Sequence, residues 1–540
     1  MLPRSFLIIL IALLVVACTS NNNTPTPVAP TDTPVKPTVA TAREVTNSSS
    51  SSSTNVTALA ENSPINDPIL IACSANQQVL PFRDDLVPDL VTLGIHICYD
   101  LQFTLNEASN GFDGFARVTV RNGSSDRWPD LLFRLYPHSP FLFGGQIEVG
   151  TVKVDGTVVD ATRTLADETG LRVPLAAPLS PGEKVEVEIP FSGQLTEKIG
   201  GHKKVYGVFA RTESAVTIAS WFPLLAVWNN IADKWFDVQV IGEGDAVFAE
   251  SAFIQAKLSA PEQFDLAVSG TIIDEQRADG RATYQVVTGP ARELTMTWLE
   301  GYQKGEMVVD GTVLRNWFRP GHEEGATRAM DAARQSIVIF NEQFGPYPFE
   351  EVDIVEVPLA GAGGVEYPQL YLLDQGLYQN SSSHDFLAFA SSHEMAHQWW
   401  YSTIGNDINA APWQDEALTN WSALLWLESL EDGLAKQYIN SYEQSVERYQ
   451  QKAGEEAINQ SLKEFSGRTT AYATIVYLKG ALFFNALRQE IGDDAYFKAL
   501  QSYYADKRFA IAVPSDLLTR FEQTSGRELA DFYEEWGVSP

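Results

Sequence analysis

Cysteine, methionine, histidine and positive charge are all scarce in this chain of 540 residues, which holds 3 Cys, 5 Met, 7 His, and 38 Lys plus Arg against 69 Asp plus Glu. Three cysteines exclude a disulfide-dense scaffold, and a chain this long can bury several cores without one. A formal net charge of -31 with no Lys/Arg-rich stretch excludes the electrostatic footprint of a nucleic-acid partner. Long apolar runs are missing as well. The longest, Phe6 to Val16, is too short to span a bilayer as a helix, so the chain is not a polytopic membrane protein. What remains is a globular chain, for which this length predicts several domains.

The short apolar run has flanks that give it a purpose. Arg4 precedes it, and Val15-Val16-Ala17-Cys18 resembles the lipobox of bacterial lipoprotein signal peptides. Residues 1–18 are therefore expected to be a signal peptide, with Cys18 lipidated and the body held on an extracytoplasmic membrane face by acyl chains alone. An ordinary cleaved signal or an uncleaved anchor is the alternative. Residues 19–70 are rich in Ser, Thr, Asn and Pro, including the serine run Ser48 to Ser53, and read as a disordered tether. Cys73 and Cys98, an even pair in an oxidising compartment, are expected to form a disulfide.

From Cys98 the hydrophobic period is two. Tyr99 to Leu105 alternates strictly, Val185 to Ile189 does the same, and Val154-Asp155-Gly156-Thr157-Val158 has the Asp-Gly turn of a hairpin. Residues 71–303 are expected to form an all-β domain. Beyond Gly301 the pattern turns helical. Met330, Ala333, Ile337, Phe340 and Phe344 step by three and four before Gly345-Pro346, a strand follows at Val352 to Val357, and amphipathic stretches lie around Asn420–Glu431, Tyr472–Ile491 and Pro514–Trp536. Residues 304–540 are therefore expected to form a mixed, helix-dominated domain.

Within it stands His393-Glu394-Met395-Ala396-His397. Ser382 and Ser383 can cap a helix beginning at His384 or Asp385, which places both histidines on one face, four residues apart. That spacing offers two imidazole nitrogens to one ion, with Glu394 turned toward a water on it. In a chain with 7 histidines, such a pattern arises by chance in on the order of 0.01 cases. A catalytic zinc normally takes three protein ligands, and Glu416, at the start of the next helical stretch, supplies a carboxylate. Asn420, one turn later, is a candidate to orient a ligand, or a helix-surface asparagine. His96, His138, His202, His322 and His384 have no partner at ligand spacing.

These residues resemble the aminopeptidase N family of zinc metallopeptidases. His393 to Trp400 is similar to that family's zinc helix, and Glu416 sits at its third-ligand spacing. Phe344-Gly345-Pro346-Tyr347-Pro348 and Gly363-Gly364-Val365-Glu366-Tyr367 resemble its upstream loop and exopeptidase signature, and Tyr477-Leu478-Lys479-Gly480 its tyrosine segment. The resemblance implies a β domain followed by a thermolysin-like α+β, mostly helical catalytic domain. It implies one zinc on His393, His397 and Glu416, Glu394 as general base, Tyr477 as oxyanion donor, and Glu366 beside Gly363 and Gly364 as the anchor for the free amino terminus of a peptide substrate. It also implies a member without the large C-terminal helical domain, and so a more open cleft. The usual signature is G-x-M-E-N; Val365 and Tyr367 depart from it. Manganese or cobalt could occupy the same donors. The rival readings are a zinc endopeptidase or specialised peptidase on the same fold, and a surface binding protein without turnover.

Overall fold

The computed structural model describes residues 67–106, 110–244, 247–431 and 433–539. The expected signal peptide, 1–18 with Cys18, and nearly all of the expected tether, 19–70, lie outside the described residues. Among those described, no helix is long and apolar enough to cross a membrane.

Alternation builds the first half. In the strand Ile97–Asn106, Tyr99, Leu101, Phe103 and Leu105 are buried while Gln102 and Thr104 face solvent. This strand runs antiparallel to Gly111–Arg121 and parallel to Ala252–Pro261 in the middle of a nine-stranded sheet. Two four-stranded sheets bury their inner residues in the same core, where Phe103 packs edge-on against Trp221 at 5.2 Å. The hairpin at Asp155-Gly156 forms with both turn residues at positive φ (46° and 76°), the type I′ geometry that suits twisted strands.

The second half has a five-stranded sheet in the order Gln303–Val309, Thr312–Phe318, Glu351–Val357, Leu370–Asp374, Gly364–Tyr367. Its first two strands form a hairpin where the sequence pattern predicts the approach to helices. Gln303–Val309 alternates only between exposed and half-buried positions, with none buried, so its apolar pattern is weak. The helix Glu323–Gln343 follows, burying Met330, Ala333, Ile337 and Phe340 as their spacing requires. Gly364–Tyr367 lies at the sheet edge, antiparallel to Leu370–Asp374.

One helical expectation needs correction, and two gain detail. The stretch around Asn420–Glu431 belongs to a helix, Trp413–Ser429, that is buried on all sides from Trp413 to Leu427 and is not amphipathic. Tyr472–Ile491 is helical throughout, with a π-helical segment, Ala473–Lys479, leading into the α-helix Gly480–Ile491. Pro514–Trp536 breaks at Gly526, whose φ is 67°.

Two features tie the halves together. Residues 68–70, expected in the tether, and 71–95, expected with the β domain, bury Ile69, Leu70, Cys73 and Phe82 in the core of the second half, where the Phe82 ring lies 5.0 Å from Phe349 and 6.1 Å from Phe509. A disulfide joins Cys73 to Cys98, linking the helix Pro68–Ala72 to the first strand. Arg292, just past the strand Arg281–Ala291, is buried and donates to three backbone carbonyls: Ala249 (3.0 Å), Tyr401 (2.7 Å) and Ala510 (2.7 Å). Gly405 makes room for it, since a Cβ there would stand 2.1 Å from the guanidinium carbon.

Candidate active site

The helix His384–Ala396 begins where its sequence indicates, although Ser383 at its N-cap makes no side-chain hydrogen bond. Four residues along an α-helix return to nearly the same face, so His393 and His397 present their imidazoles side by side, with Nε2 atoms 3.2 Å apart. Glu416 enters from the first turn of Trp413–Ser429. Its Oε2 lies 3.3 Å from Nε2 of His393 and 3.6 Å from Nε2 of His397. All three residues are buried.

That triangle tests whether the residues fit a metal. Donors at about 2.0–2.1 Å around a tetrahedral zinc stand roughly 3.3–3.4 Å apart, close to the observed edges, and two imidazole nitrogens with one carboxylate are a zinc donor set. Facing nitrogen lone pairs in a buried site are costly without something between them. The residues fit the ion.

The surroundings keep the donors ready. Nδ1 of His397 lies 2.9 Å from Oδ1 of Asp415 and 3.0 Å from the carbonyl of Trp400, acceptors that fix its proton on Nδ1 and leave Nε2 free to ligate. Burial depresses the pKa of His393, which favours its neutral form. Burial alone would raise the Glu416 carboxyl, but the two imidazoles beside it hold it well below the usual carboxylate range.

Three further side chains converge here. Glu394 is buried against the edge strand: a Cβ on Gly364 would stand 2.4 Å from its Oε1, so only glycine at 364 leaves the carboxylate this position. Tyr477 donates from its hydroxyl to Oε1 of Glu416 at 2.5 Å, and its ring stacks on His393 at 6.0 Å. Glu366, in the edge strand, brings a carboxylate oxygen within 4.8 Å of donor atoms of His397 and Asp415. A cavity of about 20 Å³ adjoins Glu366, walled partly by Leu142, Phe143 and Val208 of the β domain.

The sequence of the second half matches the model of the peptidase family M1 domain over residues 328–536. Aminopeptidase M1-B of Oryza sativa subsp. japonica is 27% identical over 238 residues, 42% of this chain and 27% of the rice protein. Aminopeptidase N of Streptomyces lividans is 25% identical over 225 residues, 39% of this chain and 26% of its own length. The chain thus spans about a quarter of these two relatives. The M1 zinc metallopeptidase of Deinococcus radiodurans superposes with a TM-score of 0.61 at 19% identity, covering 82% of this chain and 94% of its own, which shows a shared two-domain fold.

Within the matched segment, the structure brings together His393, His397, Glu416, Glu394, Tyr477 and Glu366. Gly363 stands just outside, where a Cβ would meet the Phe386 ring at 3.1 Å. Asp415 is a contributor the sequence reading passed over, although it directly precedes Glu416. Gln398 is another. Its amide donates to the Tyr367 carbonyl (2.9 Å) and its Oε1 accepts from the Gln369 amide (2.9 Å), clamping the edge hairpin to the histidine helix. Of the remaining histidines, His322 pairs with Glu356 at 2.6 Å and His384 with the Tyr378 carbonyl at 3.1 Å, both structural contacts.

Proposed function

We propose that this chain is a zinc-dependent aminopeptidase that hydrolyses the N-terminal peptide bond of peptide substrates. The observation that carries the reading is the His393–His397–Glu416 triangle with Glu394, Tyr477 and Glu366 gathered at its rim. His393, His397 and Glu416 would hold a zinc ion, which when bound would supply Lewis acidity to the scissile carbonyl and to the attacking water. Glu394 takes the proton of the attacking water and delivers it to the leaving amine. Tyr477 donates from its hydroxyl to the oxyanion that develops at the carbonyl. Glu366 pairs with the protonated amino terminus, which fixes the register at the first peptide bond.

Hydrolysis of aminoacyl-anilides beside their N-acetylated counterparts, with and without a zinc chelator, tests this. Release from the free-amine set alone, abolished by chelation, is expected. Activity on the blocked set would move the assignment to an endopeptidase. Silence on both sets with zinc bound would favour a specialised substrate or a binding protein.

Tyr477→Phe should lower kcat by about a hundred- to a thousandfold with little change in KM, because the lost donor acts only as charge develops. An unaltered kcat would remove Tyr477 from the mechanism.

We also propose that Cys18 is the lipidated first residue of a mature, membrane-anchored, extracytoplasmic protein, on the strength of the residues that precede it. Labelled fatty acid should be incorporated by the wild type and not by Cys18→Ser; equal labelling of both would refute the anchor.

A further inference from the structure

We infer that Asn420 is a positioning residue that sets where the Tyr477 hydroxyl stands, an inference that rests on the reading of Tyr477 as oxyanion donor. Tyr477 lies in the π-helix Ala473–Lys479, where backbone bonds reach five residues along the chain, and the widened turn displaces each residue from its α-helical direction. Such a segment needs an external hold. Asn420 provides one: its Nδ2 donates to the Tyr477 carbonyl at 3.1 Å and lies 3.4 Å from the Tyr442 hydroxyl. The asparagine is itself 4% exposed, on a helix enclosed from every side. It cannot turn to solvent.

The geometry gives this contact its significance. Asn420 and Glu416 are one turn apart on one face of the same helix. Glu416 receives the Tyr477 hydroxyl and Asn420 holds its backbone, so one rigid element grips the tyrosine at both ends. The two helices approach closely enough only because residue 480 is glycine. A Cβ at Gly480 would stand 2.4 Å from Cβ of Ala417, the residue after Glu416. Gly480 and Asn420 thus act together, one permitting the approach and the other fixing the register.

Asn420 also lies beside His393, so a role in orienting that ligand is the competing account, and metal content separates the two. Asn420→Ala is expected to lower kcat about ten- to a hundredfold, with KM little changed and one metal per chain retained. Added to Tyr477→Phe, it should lower kcat no further, because the donor it positions is already gone. Gly480→Ala should show the same split and the same non-additivity, and carries the test alone if Asn420→Ala does not fold. Full kcat in both variants, losses that multiply with that of Tyr477→Phe, or a kcat that falls only as metal is lost would each overturn the inference. If Tyr477→Phe by itself leaves kcat unaltered, the oxyanion reading fails first and takes the positioning role with it.

Discussion

Glu394→Gln should lower kcat by about a hundred- to ten-thousandfold and leave the metal in place. Glutamine keeps the shape that fits against Gly364 but cannot accept a proton at neutral pH, and a general base contributes about a hundred- to ten-thousandfold. The metal should stay, because the three buried donors with edges of 3.2, 3.3 and 3.6 Å do not include Glu394. Kinetics on a free-amine anilide together with metal analysis of the purified variant decide the matter. Metal lost with activity would make Glu394 structural, and full activity would place the base elsewhere.

Arg292→Ala should have the largest effect on stability, about 3–5 kcal/mol or more in chemical denaturation. The guanidinium satisfies carbonyls from three separate segments, and removing it strands them in a buried space. Each unmet buried acceptor costs about 1–3 kcal/mol, less whatever water or relaxation recovers. Burial also lowers the Arg292 pKa to about 10, still far above neutrality, so the native side chain carries its charge throughout the physiological range. Arg292→Lys should recover only part of the loss, since an ammonium lacks the planar fork that spans diverging acceptors. A variant as stable as wild type would mean that the interface is held by its apolar contacts alone.

What could be read in advance was local. The metal donors were legible because helical spacing puts His393 and His397 on one face whatever surrounds them, and Glu416 follows at the head of the next helix. The strand Ile97–Asn106 was legible because one of its faces is wet. The helix Trp413–Ser429 was misread as amphipathic because a fully enclosed helix still contains polar residues, here Gln414, Asn420 and Ser422, that find partners inside. The π-helix left no mark, since backbone register is not written in residue type. Arg292 acts across 109 positions to Tyr401 and 218 to Ala510, and no periodicity spans such distances.

Phe82 is laid down early in synthesis, yet its ring rests on Phe349 and Phe509. The partners that enclose it do not exist until most of the polypeptide has been made, so the core of the second half cannot close around it in order of appearance. The β domain can condense while Phe82 waits, exposed, for the last helices to arrive. Late truncations should therefore leave an apolar segment near the amino terminus open to aggregation, at the end of the chain opposite the lesion.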